Sequence, residues 1–134
     1  MEWNKKLATG VDEYDKMYPV MIENVNMLLR MMAACRTAKD YSKNLDAIKM
    51  EFVDMFAYQE NRMLVQKYPQ YYQHKHHHEQ LLERLDAVYD SLSLDYVGST
   101  AAQVENLITN WVMQHIFLYD KLWGQYTIEE ENSK

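Results

Sequence analysis

Two histidines four residues apart, His74 and His78 in the run QYYQHKHHH, are the first residues of this chain whose types and spacing suggest chemistry. On an α-helix they share one face, one turn apart. At that spacing two imidazoles reach a single metal ion. His115 and Asp120, in WVMQHIFLYD, lie five apart, read here as a little past one helical turn and roughly on the same side. If the two segments face each other, three histidines and one aspartate form a set. Imidazole nitrogen and carboxylate oxygen suit Fe(II), Zn(II) or Mn(II) better than Cu(I) or Ca(II). The stretch before the histidines carries Met55, Gln59 and Met63 at the same helical spacing. A thioether or a neutral amide is a poor ligand for a hard ion. One arm of this hairpin can hold a metal and the other cannot.

The elements that must position these residues are helices. Only three Gly and two Pro in 134 residues leave little room for the turns of an all-β fold, and the abundant Leu, Met, Ala, Glu, Gln and Lys favour helix. The length fits one domain, residues 1–134, large enough to bury a core without cross-links. The lone Cys35 cannot form an internal disulfide and reads as a small buried hydrophobe. A net charge of −6 with scattered basic residues argues against nucleic acid. No run approaches a membrane span or a signal-peptide core, so the expected location is cytoplasmic.

Taken in order, residues 1–11 form an arm, with Trp3 and Leu7 expected to pack back over the helices. Asp12 is a candidate N-cap for a first helix, whose apolar positions run from Tyr14 through Tyr18, Met21 and Val25 to Met32. Pro19 requires either a later start or a kink. After a break at 36–42 the second helix carries Leu45, Ile48, Phe52, Met55, Phe56, Gln59 and Met63, and Tyr68-Pro69 ends it. The third spans about 70–91 and buries His74, His78, Leu81 and Leu85. A loop at 94–98 leads to a fourth, capped by Ser99 or Thr100, with Val104, Ile108, Trp111, His115, Leu118, Tyr119 and Leu122 inward. The tail 127–134 is acidic and expected to fray. Four such helices with short connections predict an all-α, up-down-up-down antiparallel bundle.

These residues together resemble the hemerythrin family, specifically its bacterial single-domain members. The likeness covers nearly the whole chain: Trp3, Thr9-Gly10-Val11 and Asp15, then Glu60, Met63, Tyr68-Pro69, His74 and His78, then Trp111, His115-Ile116 and Asp120. It implies a site of two irons held by five histidines and two bridging carboxylates, with dioxygen bound end-on at the iron that has two histidines. Position by position, His74, His78 and His115 match the histidines of the other iron, and Asp120 matches one bridging carboxylate. Tyr18 and Met55 stand where the oxygen-binding iron has its histidines, and Gln59 stands at the bridging glutamate. All three departures strike one half of the site. Glu60 adjoins the altered glutamate position and needs a local distortion of the helix to substitute for it.

The leading expectation is therefore a metal-binding protein with a single-metal half-site, one non-heme iron or zinc on His74, His78, His115 and Asp120, and the oxygen-carrier half lost. One rival is a diiron protein that binds or senses dioxygen through unusual ligands, Tyr18 or Glu60. Another is a metal-free polar core, with Tyr18 and Gln59 as partners of the histidines. Its vacated pocket, lined by Tyr18, Met55, Phe56 and Gln59, would take a water or small ligand. No general acid or base stands out, which ranks binding ahead of catalysis. His76 and His77 are expected to form an exposed strip beside the site, and the methionines from Met17 to Met63 to fill the core.

Overall fold

The computed structural model describes residues 1–90 and 97–134, the backbone alone at 97–99. After a 3-10 turn at Lys5–Leu7, the helices are α1 (Asp12–Asp15), α2 (Met17–Ala33), α3 (Ala38–Gln66), α4 (Tyr71–Asp90) and α5 (Val97–His115). A π-helical turn, Ile116–Asp120, joins α5 to α6 (Lys121–Asn132). No strand occurs among the described residues. The long helices pack in a cycle, α2 on α3, α3 on α4, α4 on α5 and α5 on α2. They enclose a core that includes Val25, Met32, Ile48, Phe52, Leu81 and Ile108. No described helix is long and apolar enough to cross a membrane.

Local chemistry explains most of the boundaries. The chain turns at Lys16, so Pro19 falls in the first turn of α2, where its missing N–H has no intrahelical partner to lose. Asp12 is helical and Val11 holds the cap position without a side-chain bond. The expected cap is replaced by Asp15, whose carboxylate accepts from the Thr9 N–H and hydroxyl and from the Gly10 N–H. Gly10 takes φ +89°, a conformation that favours glycine. The arm then lies on α6, where a Cβ at Gly124 would sit 2.6 Å from the Thr9 carbonyl oxygen. Trp3 and Leu7 pack on the core as expected.

The second long helix starts earlier than its apolar pattern suggests. Thr37 accepts from the Asp40 N–H as an N-cap, and Tyr41 is fully buried. It ends at Lys67, in the left-handed conformation at φ 55°, with the Tyr68 N–H bonded to the Met63 carbonyl. α5 begins at Val97, so Ser99 and Thr100 lie inside it rather than at its cap. The expected loop at 94–98 is otherwise outside the described residues. The tail is helical to Asn132, because Thr127 is buried and bonded to Gln66 and to the Trp123 carbonyl. Only Met21, Met32, Met55 and Met63 are buried methionines, whereas Met27, Met31 and Met50 are exposed. Cys35 is half-buried, accepting from the Asn44 amide.

Candidate metal centre

His74 and His78 stand in the first two turns of α4, on its buried face. His115 ends α5, and Asp120 ends the π turn that follows. On a regular α-helix a fifth residue is rotated about 140° from the first, so the α-helical reading would not bring these two together. The π turn does, because the Lys121 N–H reaches back five residues to the Ile116 carbonyl and five residues then complete about one turn. The register slips by one beyond it. Trp123, Gly124 and Thr127 turn inward, and Leu118 and Leu122, expected in the core, are 52% and 45% exposed.

The structure thus brings together His74, His78, His115 and Asp120, all buried, with one donor atom of each within 4.8 Å of the others. His74 Nε2 and His115 Nε2 lie 3.0 and 2.9 Å from Asp120 Oδ1, and His78 Nε2 lies 3.0 Å from His115 Nε2. Ligands held at about 2.1 Å sit about 3.0 Å apart at right angles and about 3.4 Å apart at tetrahedral angles. These three edges are in the range of ligand–ligand distances around one ion, and equally in that of hydrogen bonds. Although close, His74 Nε2 and Asp120 Oδ1 have no aligned hydrogen-bond partner among the described residues. Buried polar atoms without partners are costly. Of the four donors only His78 and His115 bond to each other, and the other two, left unpartnered in a buried cluster, could take a cation.

Protonation agrees with that fit. Burial, reinforced by neighbouring His115 and His74, holds the His78 imidazole well below its usual range, and burial also lowers His115. Burial alone would raise the Asp120 carboxyl, but His115 and His74 beside it outweigh this and hold it well below the usual carboxylate range. At neutral pH His78 and His115 are neutral imidazoles and Asp120 is an ionised carboxylate, the forms that ligate metals.

The outer nitrogens have unequal partners. His78 Nδ1 lies 2.8 Å from Glu60 Oε2, and the His78 ring stacks on Phe56 at 3.8 Å. Glu60 is therefore not a substitute bridge. α3 runs through it without distortion, and its carboxylate meets the far side of His78, the arrangement that orients a ligating histidine. His115 Nδ1 lies 2.6 Å from His77 Nδ1. His77 does not join an exposed strip: it is half-buried and lies nearly parallel to Trp111 and Tyr119, and only His76 is exposed. His74 Nδ1 has no partner among the described residues. A helical wheel misses His77 because its neighbours come from α5, and only the packing angle of two helices brings them near.

The other half of the site is filled by side chains. Tyr18, 1% exposed, donates to Asp120 Oδ2 at 2.8 Å. Burial raises its hydroxyl well above the ordinary tyrosine range, and the Asp120 charge adds to this, so without a metal beside it the hydroxyl keeps its proton. Met55 and Gln59 are buried beside it. The cavity these residues share with Phe56 and Trp111 holds about 10 Å³. That is room for one water at most, so the expected small-ligand pocket is closed by Phe56, Met55 and Tyr18. Gln59 Oε1 is buried without a partner among the described residues, so Gln59 does not serve the histidines through that atom. Of the two partners expected in a metal-free core, Tyr18 acts on Asp120 and Gln59 Oε1 on nothing.

No protein-family model matches the chain, and no curated protein matches it. The helical fold and the buried His/Asp group are what carry a functional reading.

Proposed function

We propose that this protein is a hemerythrin-like metal-binding protein that holds one divalent ion on His74, His78, His115 and Asp120 and has lost the second metal position. The observation that carries the reading is the convergence of four buried donors, two of them, His74 Nε2 and Asp120 Oδ1, without hydrogen-bond partners. A metal-free core would leave those groups at a cost of about 1–3 kcal/mol each. The donor types suit non-heme iron or zinc. An ion held by these four residues would supply a Lewis acid. The chain's own residues orient the donors: Glu60 holds the His78 ring, and Tyr18 holds Asp120 by its second oxygen.

The same residues favour one ion over two. The Tyr18 hydroxyl occupies the carboxylate oxygen that a second metal would need, and Met55 and Gln59 offer neither charge nor imidazole. In this reading the cycle of four helices is an up-down-up-down antiparallel bundle, with the ion tying α4 to the α5–α6 rod. The test is metal content per chain by mass spectrometry, on untagged protein purified without added metal or chelator. One equivalent of iron or zinc supports the half-site. Two irons per chain, or none after anaerobic reconstitution, would overturn it.

A further inference from the structure

The hydrogen bond between His77 and His115 carries more than packing. The ring planes lie within 13° of each other with centroids 4.8 Å apart, yet the two Nδ1 atoms approach to 2.6 Å. With the nitrogens so much closer than the centroids, the rings meet edge to edge in one plane, joined by a single N–H···N bond. His77 is half-buried, whereas His115 is 2% exposed.

The proton in that bond follows from the rest of the chain of contacts. Glu60 Oε2 accepts from His78 Nδ1, so neutral His78 carries its proton there and its Nε2 is a bare acceptor. His78 Nε2 lies in hydrogen-bond contact with His115 Nε2 at 3.0 Å. His115 must therefore donate from Nε2, which leaves its Nδ1 bare. His77 then donates from its Nδ1 into His115. Each tautomer is set by the next, starting from the Glu60 carboxylate.

A metal on His115 Nε2 reverses this order. The Nε2 proton has to leave, and neutral His115 then carries its proton on Nδ1. The bond to His77 survives only if His77 turns from donor to acceptor. We propose that His77 is a positioning residue whose tautomer switches with metal occupancy, donating to His115 without metal and accepting from it with metal bound. The exchange balances. His77 passes its Nδ1 proton across the bond to His115 Nδ1 and gains one at Nε2, while His115 gives up its Nε2 proton to water. Each ring holds one proton before and after. Among side chains in this place, an imidazole makes the bond in both states at the same atom, whereas a carboxylate can only accept. The inference rests on the metal reading above.

The experiment is ¹⁵N NMR of the histidine rings in the full chain, metal-free and with one equivalent of zinc, together with zinc affinity by competition with a chromophoric chelator. The expected result is an Nδ1–H tautomer at His77 without metal and an Nε2–H tautomer with zinc, with His115 changing in the opposite sense. His77→Phe keeps the ring against Trp111 and Tyr119 but cannot accept, and should weaken zinc binding about 10- to 100-fold. His77→Asp loses the ring but accepts, and should bind zinc at least as tightly as the wild type. A packing role predicts the reverse order of the two variants. An unchanged His77 tautomer on zinc binding, or undiminished affinity in His77→Phe, overturns the proposal while leaving the metal site standing. Wild-type protein that takes up no zinc or iron overturns the metal reading. Even then, an Nε2–H tautomer at His77 in the metal-free chain would contradict the proton order that runs from Glu60 to His77.

Discussion

The half of the centre built by α4 and the α5–α6 rod and the half that faces it from α2 and α3 are equally buried, but their polar atoms behave differently. In the first, His74 Nε2 and Asp120 Oδ1 sit within 3.0 Å and form no aligned hydrogen bond. In the second, Tyr18 meets Asp120 Oδ2 in an ordinary hydrogen bond, and Phe56 and Met55 close the remaining space to about 10 Å³. One half gathers four donors that could hold an ion, and the other is packed like a core around a single unpartnered amide oxygen, Gln59 Oε1, among the described residues. Burial alone does not make a metal site. What sets the first half apart is several donor atoms brought together, two of which stay unpartnered among the described residues.

Removing a donor should break the first half outright. His78→Ala should bind no iron or zinc, and in excess metal it should unfold about 3 kcal/mol more easily than the wild type, the linkage expected at a hundred times the Kd. Denaturant melts with and without chelator measure this, and unchanged metal content would remove His78 from the site. Rebuilding the second half should erase the contrast. The triple variant Tyr18→His, Met55→His, Gln59→Glu should take up a second metal equivalent by mass spectrometry. No gain would mean that α2 and α3 stand too far from Asp120 to share an ion.

A smaller change tests the link between the halves. Tyr18→Phe removes the donor to Asp120 Oδ2 and leaves a buried carboxylate oxygen without it, which should cost about 1–3 kcal/mol in denaturant stability. A neutral result would show that water takes the place of the hydroxyl. A further test needs no substitution, only pH. Burial, with His115 adding to it, lowers the His77 imidazole to about 4, against an unfolded value near 6.5. The unfolded chain therefore binds more protons between those values, so the stability of metal-free protein should rise with pH from about 4 to about 6.5 and level off above. Thermal melts in chelator at stepped pH would show this, and a flat profile through the window would contradict the burial of His77 and His78.

How much of this is legible in the sequence depends on the range of the interaction involved. The i, i+4 pair His74 and His78, the apolar faces of α2 to α5 and the stop at Tyr68-Pro69 are properties of a few consecutive residues. They can be read directly. Pairing Asp120 with His115 on a regular helix rests on a premise that such a helix does not satisfy, and the π turn changes the geometry while keeping the pair. That turn inverts the expected burial of Leu118 and Leu122, since one extra residue per turn rotates everything after it. A sequence reading names both Glu60 and His77 but misassigns their roles, for a single reason. Each points away from the inward stripe of its own helix, and its partner belongs to another helix.

The amino-acid sequence by itself determined that this protein is helical and that one face of one helix carries two imidazoles in metal-ligand register. Those are consequences of side-chain chemistry and of the fixed rotation of a helix. Only the tertiary structure decided that His115 and Asp120 share a side, that Tyr18 serves Asp120, and that Glu60 and His77 stand behind the histidines. Such contacts depend on how helices are rotated and packed against one another, and no local spacing encodes that rotation.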